Sequence, residues 1–225
     1  METPSFLQPI SSQPEVIAHF IERLPGIPVS LDRKEVLATL EPLHKKELEQ
    51  LGIPWDHLRR AQQVHGNKVA LVGDIGSNFP VEGVDGLICS GFSDCTLGIY
   101  VADCAVVWLY DQETKARALL HSGKKGTELN IVANGLKAMY TFCSSKPENI
   151  IAVISPCIRP PHYEMDIPQA IKDQLIEAKV PEHQIYDSGF DTAADIERFY
   201  SYRIEKGNTG RMLAIFGRDL SIPHA

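Results

Sequence analysis

No two of the five cysteines (Cys89, Cys95, Cys104, Cys143, Cys157) form a C-x-x-C pair, and their number is odd. A secreted disulfide framework is therefore not indicated, and reduced thiols in the cytoplasm are expected. Basic residues are not in excess: 22 Lys and Arg against 29 Asp and Glu leave a net charge of −7 at pH 7. That sign speaks against nucleic-acid binding, which draws its affinity from clustered cations, although a small anion needs only a local basic pocket. Nowhere do ~18–20 apolar residues follow one another, so no membrane span is expected. The opening METPSFLQPISSQPEVIAHF has neither a basic n-region nor a continuous apolar h-region, and no secretory signal is read there. Its Ser, Gln and Pro content predicts a loosely ordered start over residues 1–18. Internal repeats and low-complexity blocks are missing, as are the nucleotide fingerprints GxGxxG and GxxxxGK[ST].

What is present suffices for one sizeable domain: 225 residues, 44% of them hydrophobic. DRKEVLATLEPLHKKELEQLG (32–52) predicts a helix capped by Asp32 and stopped by Gly52, with Pro42 a point of breakage or kinking. Strands are expected in NKVALVG (67–73), GVDGLICS (83–90), ARALLHSG (116–123), NIIAVISPCI (149–158) and GRMLAIF (210–216). TLGIYVADCAVVWLYD (96–111) is apolar at nearly every position, as a strand covered on both faces is. It exceeds the usual strand length, so a break is predicted at its polar ADC. Further helices are expected over 127–143, with Thr127 as cap, and over 167–180 and 192–207. The irregular alternation predicts a mixed α/β (α+β) protein, mixed β-sheets flanked by helices in a single domain, without the rhythm of a doubly wound sheet.

Three residues carry chemistry of one kind. His65 stands at a strand entrance, Cys104 inside the long apolar run and His121 at a strand exit. Imidazole and thiolate are the donors zinc prefers, and three protein ligands with one open position make a catalytic zinc site. They lie 39 and 17 residues apart, which matches no compact zinc-finger spacing. Taken singly each has an ordinary explanation: a turn histidine, a small core cysteine, a loop histidine.

QVHGNKV, VDGLICS, LGIYVADCAVVWLYD, ALLHSGKKGT, ISPCIRPPHYEMD and FYSYRIEKGNTGRMLAI follow one another in this order. The series, spanning about residues 60–217, resembles the YfiH-like laccase-domain family, also called multicopper polyphenol oxidases and regarded as purine nucleoside phosphorylases. The resemblance implies that His65, Cys104 and His121 bind one zinc ion and form the catalytic centre. It further implies phosphorolysis of adenosine, inosine and guanosine, cleavage of methylthioadenosine and deamination of adenosine. The partners so implied are a small-molecule nucleoside and phosphate, not nucleic acid or a membrane. Zinc with an open position brings its water to a pKa of ~7. Copper fits less well, because two histidines and one cysteine cannot build a multi-copper cluster.

By the same resemblance Lys125 is a phosphate-side cation, Arg203 and Arg211 serve phosphate binding or structural pairing, and Tyr163 lines the nucleoside pocket or packs. Asp103, next to Cys104 in a strand, is expected to face away from the metal and to act by hydrogen bonding. The chain departs from the family around this centre. No RxGGVS stretch precedes the motifs, ADC lacks its following proline, Lys124 and Lys125 replace Trp and Arg, and Arg159 to His162 replace a Gly-rich, double-Cys pattern. Two alternatives stay open: a hydrolase with Cys104 as nucleophile and His121 as base, and a catalytically weak zinc-bearing nucleoside-binding protein. Whether the chain is a monomer or a dimer is not legible.

Overall fold

The computed structural model describes residues 3–74 and 79–222. Its strands are β1 (Val16–Ile21), β2 (Leu58–Arg60), β3 (Val69–Leu71), β4 (Gly86–Cys89), β5 (Thr96–Val101), β6 (Ala105–Asp111), β7 (Arg117–Ser122), β8 (Ile150–Ile154), β9 (Ile185–Asp187) and β10 (Met212–Arg218). The long apolar run divides into β5 and β6, and every residue of both strands is buried. The break falls at the expected ADC, where Asp103 takes a left-handed backbone at φ 79°. It carries the chain from a four-stranded sheet of order β1-β10-β5-β2 into a six-stranded sheet of order β3-β4-β7-β6-β8-β9. Each sheet mixes parallel with antiparallel pairs, as in β2 with β5 and β10 with β5.

Strand alternation explains the layers. Val106, Trp108 and Tyr110 enter the core between the sheets, together with Phe20, Leu97, Ile99 and Phe216. Trp108, fully buried, satisfies its indole by donating to the Ile215 carbonyl across that core at 3.0 Å. Ala105, Val107 and Leu109 face the other way, under α4 (Ile131–Cys143) and α5 (Ile167–Glu177). α2 (Arg33–Gln50) covers the outer face of the smaller sheet, where Leu48 meets Leu58, Tyr100, Leu213 and Ile215. Asp32 caps it through the Lys34 N–H at 2.7 Å, and the helix runs on through Pro42. Among the described residues no helix is long and apolar enough to cross a membrane.

Three expectations are corrected. Residues 3–18 are not loose: Ser5–Leu7 forms a 3-10 turn, α1 (Gln8–Ser11) follows, and β1 pairs with β10; residues 1 and 2 lie outside the described residues. Leu7 and Ile10 are fully buried, Phe6 meets Phe20 and Trp108 edge-on, and Pro9 sits in a first helical turn where its missing N–H costs nothing. The helix expected from residue 127 is two: α3 (Lys124–Glu128), then α4, capped by Asn130 in a left-handed conformation. Thr127 is not a cap; it is buried and donates to the Gly123 carbonyl at 2.9 Å. Residues 192–207 form turns, not a helix. Adjacent Phe199 and Tyr200 are both buried, and the N–H groups of Ser201 and Arg203 donate to the carboxylates of Glu205 and Asp103.

Candidate metal centre and adjoining cleft

Register places the first two members. β6 and β7 are antiparallel, with Ala105 opposite Ser122 and Val106 opposite His121. Cys104, one residue before β6, therefore meets the end of β7. His65 arrives from the loop between β2 and β3, its backbone left-handed at φ 59° and that of Gln63 at 62°. The donor atoms of His65, Cys104 and His121 all lie within 4.8 Å of one another. The two imidazole rings stand 4.9 Å apart at 75°.

Asp85 organises this cluster, and sequence reasoning did not select it. Its carboxylate, fully buried, accepts from the N–H groups of Val64 (3.2 Å), His65 (2.8 Å) and Gly66 (2.7 Å). It also accepts from His121 Nδ1 at 2.8 Å. One side chain thus shapes the His65 loop and fixes the His121 ring, leaving Nε2 of His121 for the cluster. Burial pushes the Asp85 carboxyl up, but hydrogen bonds from His121 and Gly66 outweigh it and hold the group below its usual value. Burial likewise opposes ionisation of Cys104, yet the charge and hydrogen bonds of His121 and His65 bring its thiol down to about 6. Burial would lower His121, but the Cys104 thiolate and Asp85 raise it to about 9. A Cβ on Gly123 would lie 2.6 Å from Cys104 Sγ, so the thiolate stands where only glycine leaves room.

This donor set could hold a metal ion. A tetrahedral ion with ligands at ~2.0–2.3 Å keeps their atoms roughly 3.4–3.8 Å apart. The donor atoms, all within 4.8 Å of one another, lie within about 1 Å of that geometry. Among the described residues it is the one group of three such donors.

A cleft of about 710 Å³ opens on the cluster, and Tyr163, Lys125, Arg203 and Arg211 all line it. Their settings differ. The Arg203 guanidinium sits 4.9 Å from the Tyr163 ring centroid and pairs with Glu164, which also takes Lys124 at 3.1 Å. Lys125 is exposed at the start of α3. Arg211 donates to the carbonyls of Thr209 (3.2 Å) and Gly210 (2.7 Å) and lies 5.9 Å from the Tyr202 ring. Asp103 serves the wall and not a histidine: it accepts from Thr192 Oγ1 (2.8 Å) and from the Arg203 N–H (2.7 Å). Arg33, Gln63, Tyr202 and Lys206 line the cleft too and were not anticipated. The VDG motif contained the signal for Asp85; Arg33 lies outside every quoted motif.

A family model described as multi-copper polyphenol oxidoreductase laccase matches residues 28–167 and 159–219. Purine nucleoside phosphorylases of Staphylococcus saprophyticus and Staphylococcus aureus (strain COL) are 30% and 29% identical to the chain over 199 and 191 residues. The alignments cover 75% and 69% of this chain and 76% and 71% of those proteins. The purine nucleoside phosphorylase YlmD of Geobacillus stearothermophilus is 27% identical over 230 residues, covering 86% of this chain and 82% of its own. A crystal structure of YlmD from that organism superposes with a TM-score of 0.77 at 26% identity, over 90% of this chain and 92% of that one. YfiH of Bacillus licheniformis, at 24% identity and TM-score 0.77 over 91% and 93% of the two chains, has the same fold.

Proposed function

The chain belongs to the multi-copper polyphenol oxidoreductase laccase family, and from that membership we propose that it is a zinc-dependent purine nucleoside phosphorylase. Its substrates are adenosine, inosine and guanosine, with methylthioadenosine cleavage and adenosine deamination as further activities of the same centre. The observation that carries this reading is the His65–Cys104–His121 cluster at a cleft lined by cations and aromatic rings, in a chain otherwise acidic. Relatives named purine nucleoside phosphorylase support it.

His65, Cys104 and His121 would hold the zinc, with Asp85 setting the His121 tautomer. A bound zinc supplies Lewis acidity beside the nucleoside. In phosphorolysis a phosphate oxygen bonds to the anomeric carbon as the bond to the purine nitrogen breaks, and the electron pair leaves with the base. The chain must therefore bind a dianion and hold a flat base. Lys125, Arg203 and Arg211 are the cations for the first task. Tyr163, backed by Arg203 at 4.9 Å, offers a stacking face for the second. Copper oxidase chemistry is a poorer fit, because one group of two imidazoles and a thiolate cannot hold several coppers.

Purified zinc-loaded protein incubated with inosine or adenosine and phosphate is expected to release free base and ribose 1-phosphate. His121→Ala is expected to lose both the zinc and the turnover. No turnover on several nucleosides with zinc bound would sink the proposal, and nucleoside binding without turnover would leave a catalytically weak binding protein. One arrangement favours a second reading: Asp85, His121 and Cys104 form a hydrogen-bonded series with a thiol near 6, as a Cys–His hydrolase needs. Rapid alkylation of Cys104 that stoichiometric zinc does not slow would support the hydrolase.

A further inference from the structure

Six of the ten arginines are paired with carboxylates: Arg23 with Glu205, Arg60 with Glu41, Arg159 with Asp187, Arg198 with Glu22, Arg203 with Glu164 and Arg218 with Asp94. Arg59 and Arg117, both buried, donate instead to backbone carbonyls such as those of Asp56 and Ser93. Neither lines the cleft. The remaining two, Arg33 and Arg211, do line it, and neither is within 4 Å of a carboxylate among the described residues. Arg33 leads α2 and, among the described residues, donates only to neutral oxygens, Gln62 O and Gln63 Oε1, both at 3.3 Å. Arg211 spends Nη1 on two carbonyls, which leaves its Nε and Nη2 without an acceptor among the described residues.

The carboxylates about the cleft are committed elsewhere. Glu164 bridges Lys124 and Arg203, and Glu205 takes Arg23, Ser201 N and Thr209 Oγ1. Asp103 holds Thr192 and the Arg203 N–H, and Asp85 holds the His65 loop. Half-buried guanidinium groups without a counter-charge are costly to keep close. Burial holds both below the usual arginine range, and Arg33 lowers Arg211 further by repulsion. A bound dianion would relieve both costs at once, through the forked geometry by which guanidinium grips phosphate.

We propose that Arg33 and Arg211 form the oxyanion subsite of this cleft, and that its ligand is a phosphate group. The source is either free inorganic phosphate or the phosphate of a nucleotide. The naming of inorganic phosphate as co-substrate rests on the phosphorylase reading; the subsite itself does not. Arg33 thereby becomes a specificity residue, and α2 supplies charge that the Lys124–Glu164–Arg203 group, partly neutralised within itself, offers less of.

The test is equilibrium binding by the full chain at low ionic strength, with inorganic phosphate and adenosine 5′-monophosphate titrated separately. Arg33→Gln and Arg211→Gln are each expected to weaken phosphate binding at least ~10-fold, with Arg33→Lys intermediate and Arg198→Gln, outside the cleft, unchanged. A loss seen with the nucleotide alone assigns the subsite to a nucleotide phosphate; a loss with both assigns it to free phosphate as well. Unchanged affinity for both ligands in folded Arg33→Gln overturns the proposal, as does wild-type protein that binds neither at millimolar concentration. Arg33 stands in the partly exposed first turn of α2, so its variant decides the matter even if Arg211→Gln does not fold. Binding that Arg33→Gln abolishes, in a protein that phosphorolyses no nucleoside, refutes the phosphorylase reading and leaves the subsite standing.

Discussion

The two ends of the cleft are held by opposite means. At the proposed metal centre one fully buried carboxylate, Asp85, accepts from three successive backbone N–H groups and from His121. At the cationic end the carboxylate is Glu164, exposed, bridging Lys124 and Arg203 through side chains that reach into solvent. Burial makes the first arrangement unforgiving, since four donors converge on one carboxylate that is itself out of reach of solvent. Exposure makes the second adjustable, since screening weakens its ion pairs and water can substitute for them. The lesson concerns where change is tolerated: the proposed ligand geometry is guarded by the core, whereas the proposed phosphate-side charges sit where substitution costs the fold little.

The comparison can be broken most directly at Asp85. Asp85→Ala is expected to cost roughly 3–5 kcal/mol of stability, as loss of one member of a buried charged network does. Zinc affinity is expected to fall about 10–100-fold, as after loss of a carboxylate behind a ligand histidine. Denaturant titration and competition with a chelator measure the two.

Acid should act next, through the helix that carries Arg33. His44 on α2 is fully buried against Tyr100, and neither of its ring nitrogens has a hydrogen-bond partner among the described residues. Burial lowers its pKa from 6.5 to about 4. The unfolded chain takes up this proton at higher pH than the folded one does. Stability is therefore full above pH 6.5 and falls as pH drops towards 4, by about 3 kcal/mol. His44→Leu should flatten that part of a stability-against-pH curve; an unchanged slope would refute the assignment.

Crowding the thiolate is a smaller change. Gly123→Ala places a methyl group 2.6 Å from Cys104 Sγ. It should cost roughly 1–3 kcal/mol and reduce zinc occupancy, read by metal analysis after dialysis. The smallest effect is expected at Glu164. Glu164→Gln should leave the melting temperature unchanged and alter the KM for phosphate only a few-fold, less as salt is added. A large loss of stability there would erase the contrast between the two ends.

Sequence alone carried the architecture where burial pattern and chemistry coincide. The over-long apolar run implied its own interruption at ADC, and the two-sheet core follows from its alternation. It failed where tertiary contact overrides local pattern. The Pro- and Ser-rich start looked loose because nothing local reveals that Leu7 and Ile10 close the core. Residues 192–207 looked helical because nothing local reveals that the Arg203 N–H serves Asp103, far earlier in the chain. In the site, residue type marked His65, Cys104 and His121, but their meeting within 4.8 Å depends on β6–β7 register and a left-handed turn at His65. Asp85 and Arg33 stayed hidden for a related reason. A buried carboxylate and an unpaired arginine are defined by their neighbours, and those neighbours are distant in the chain.

The connector Ala102–Cys104 joins β5 of one sheet to β6 of the other and ends on the cysteine of the cluster. Its length is consequently quantised. An insertion or deletion there that β6 took up as a one-residue slip would exchange the two faces of the strand, sending Trp108 towards the helices and drawing Cys104 away from His121. Among relatives of this chain, residue types around the connector can drift, but its count of residues should not.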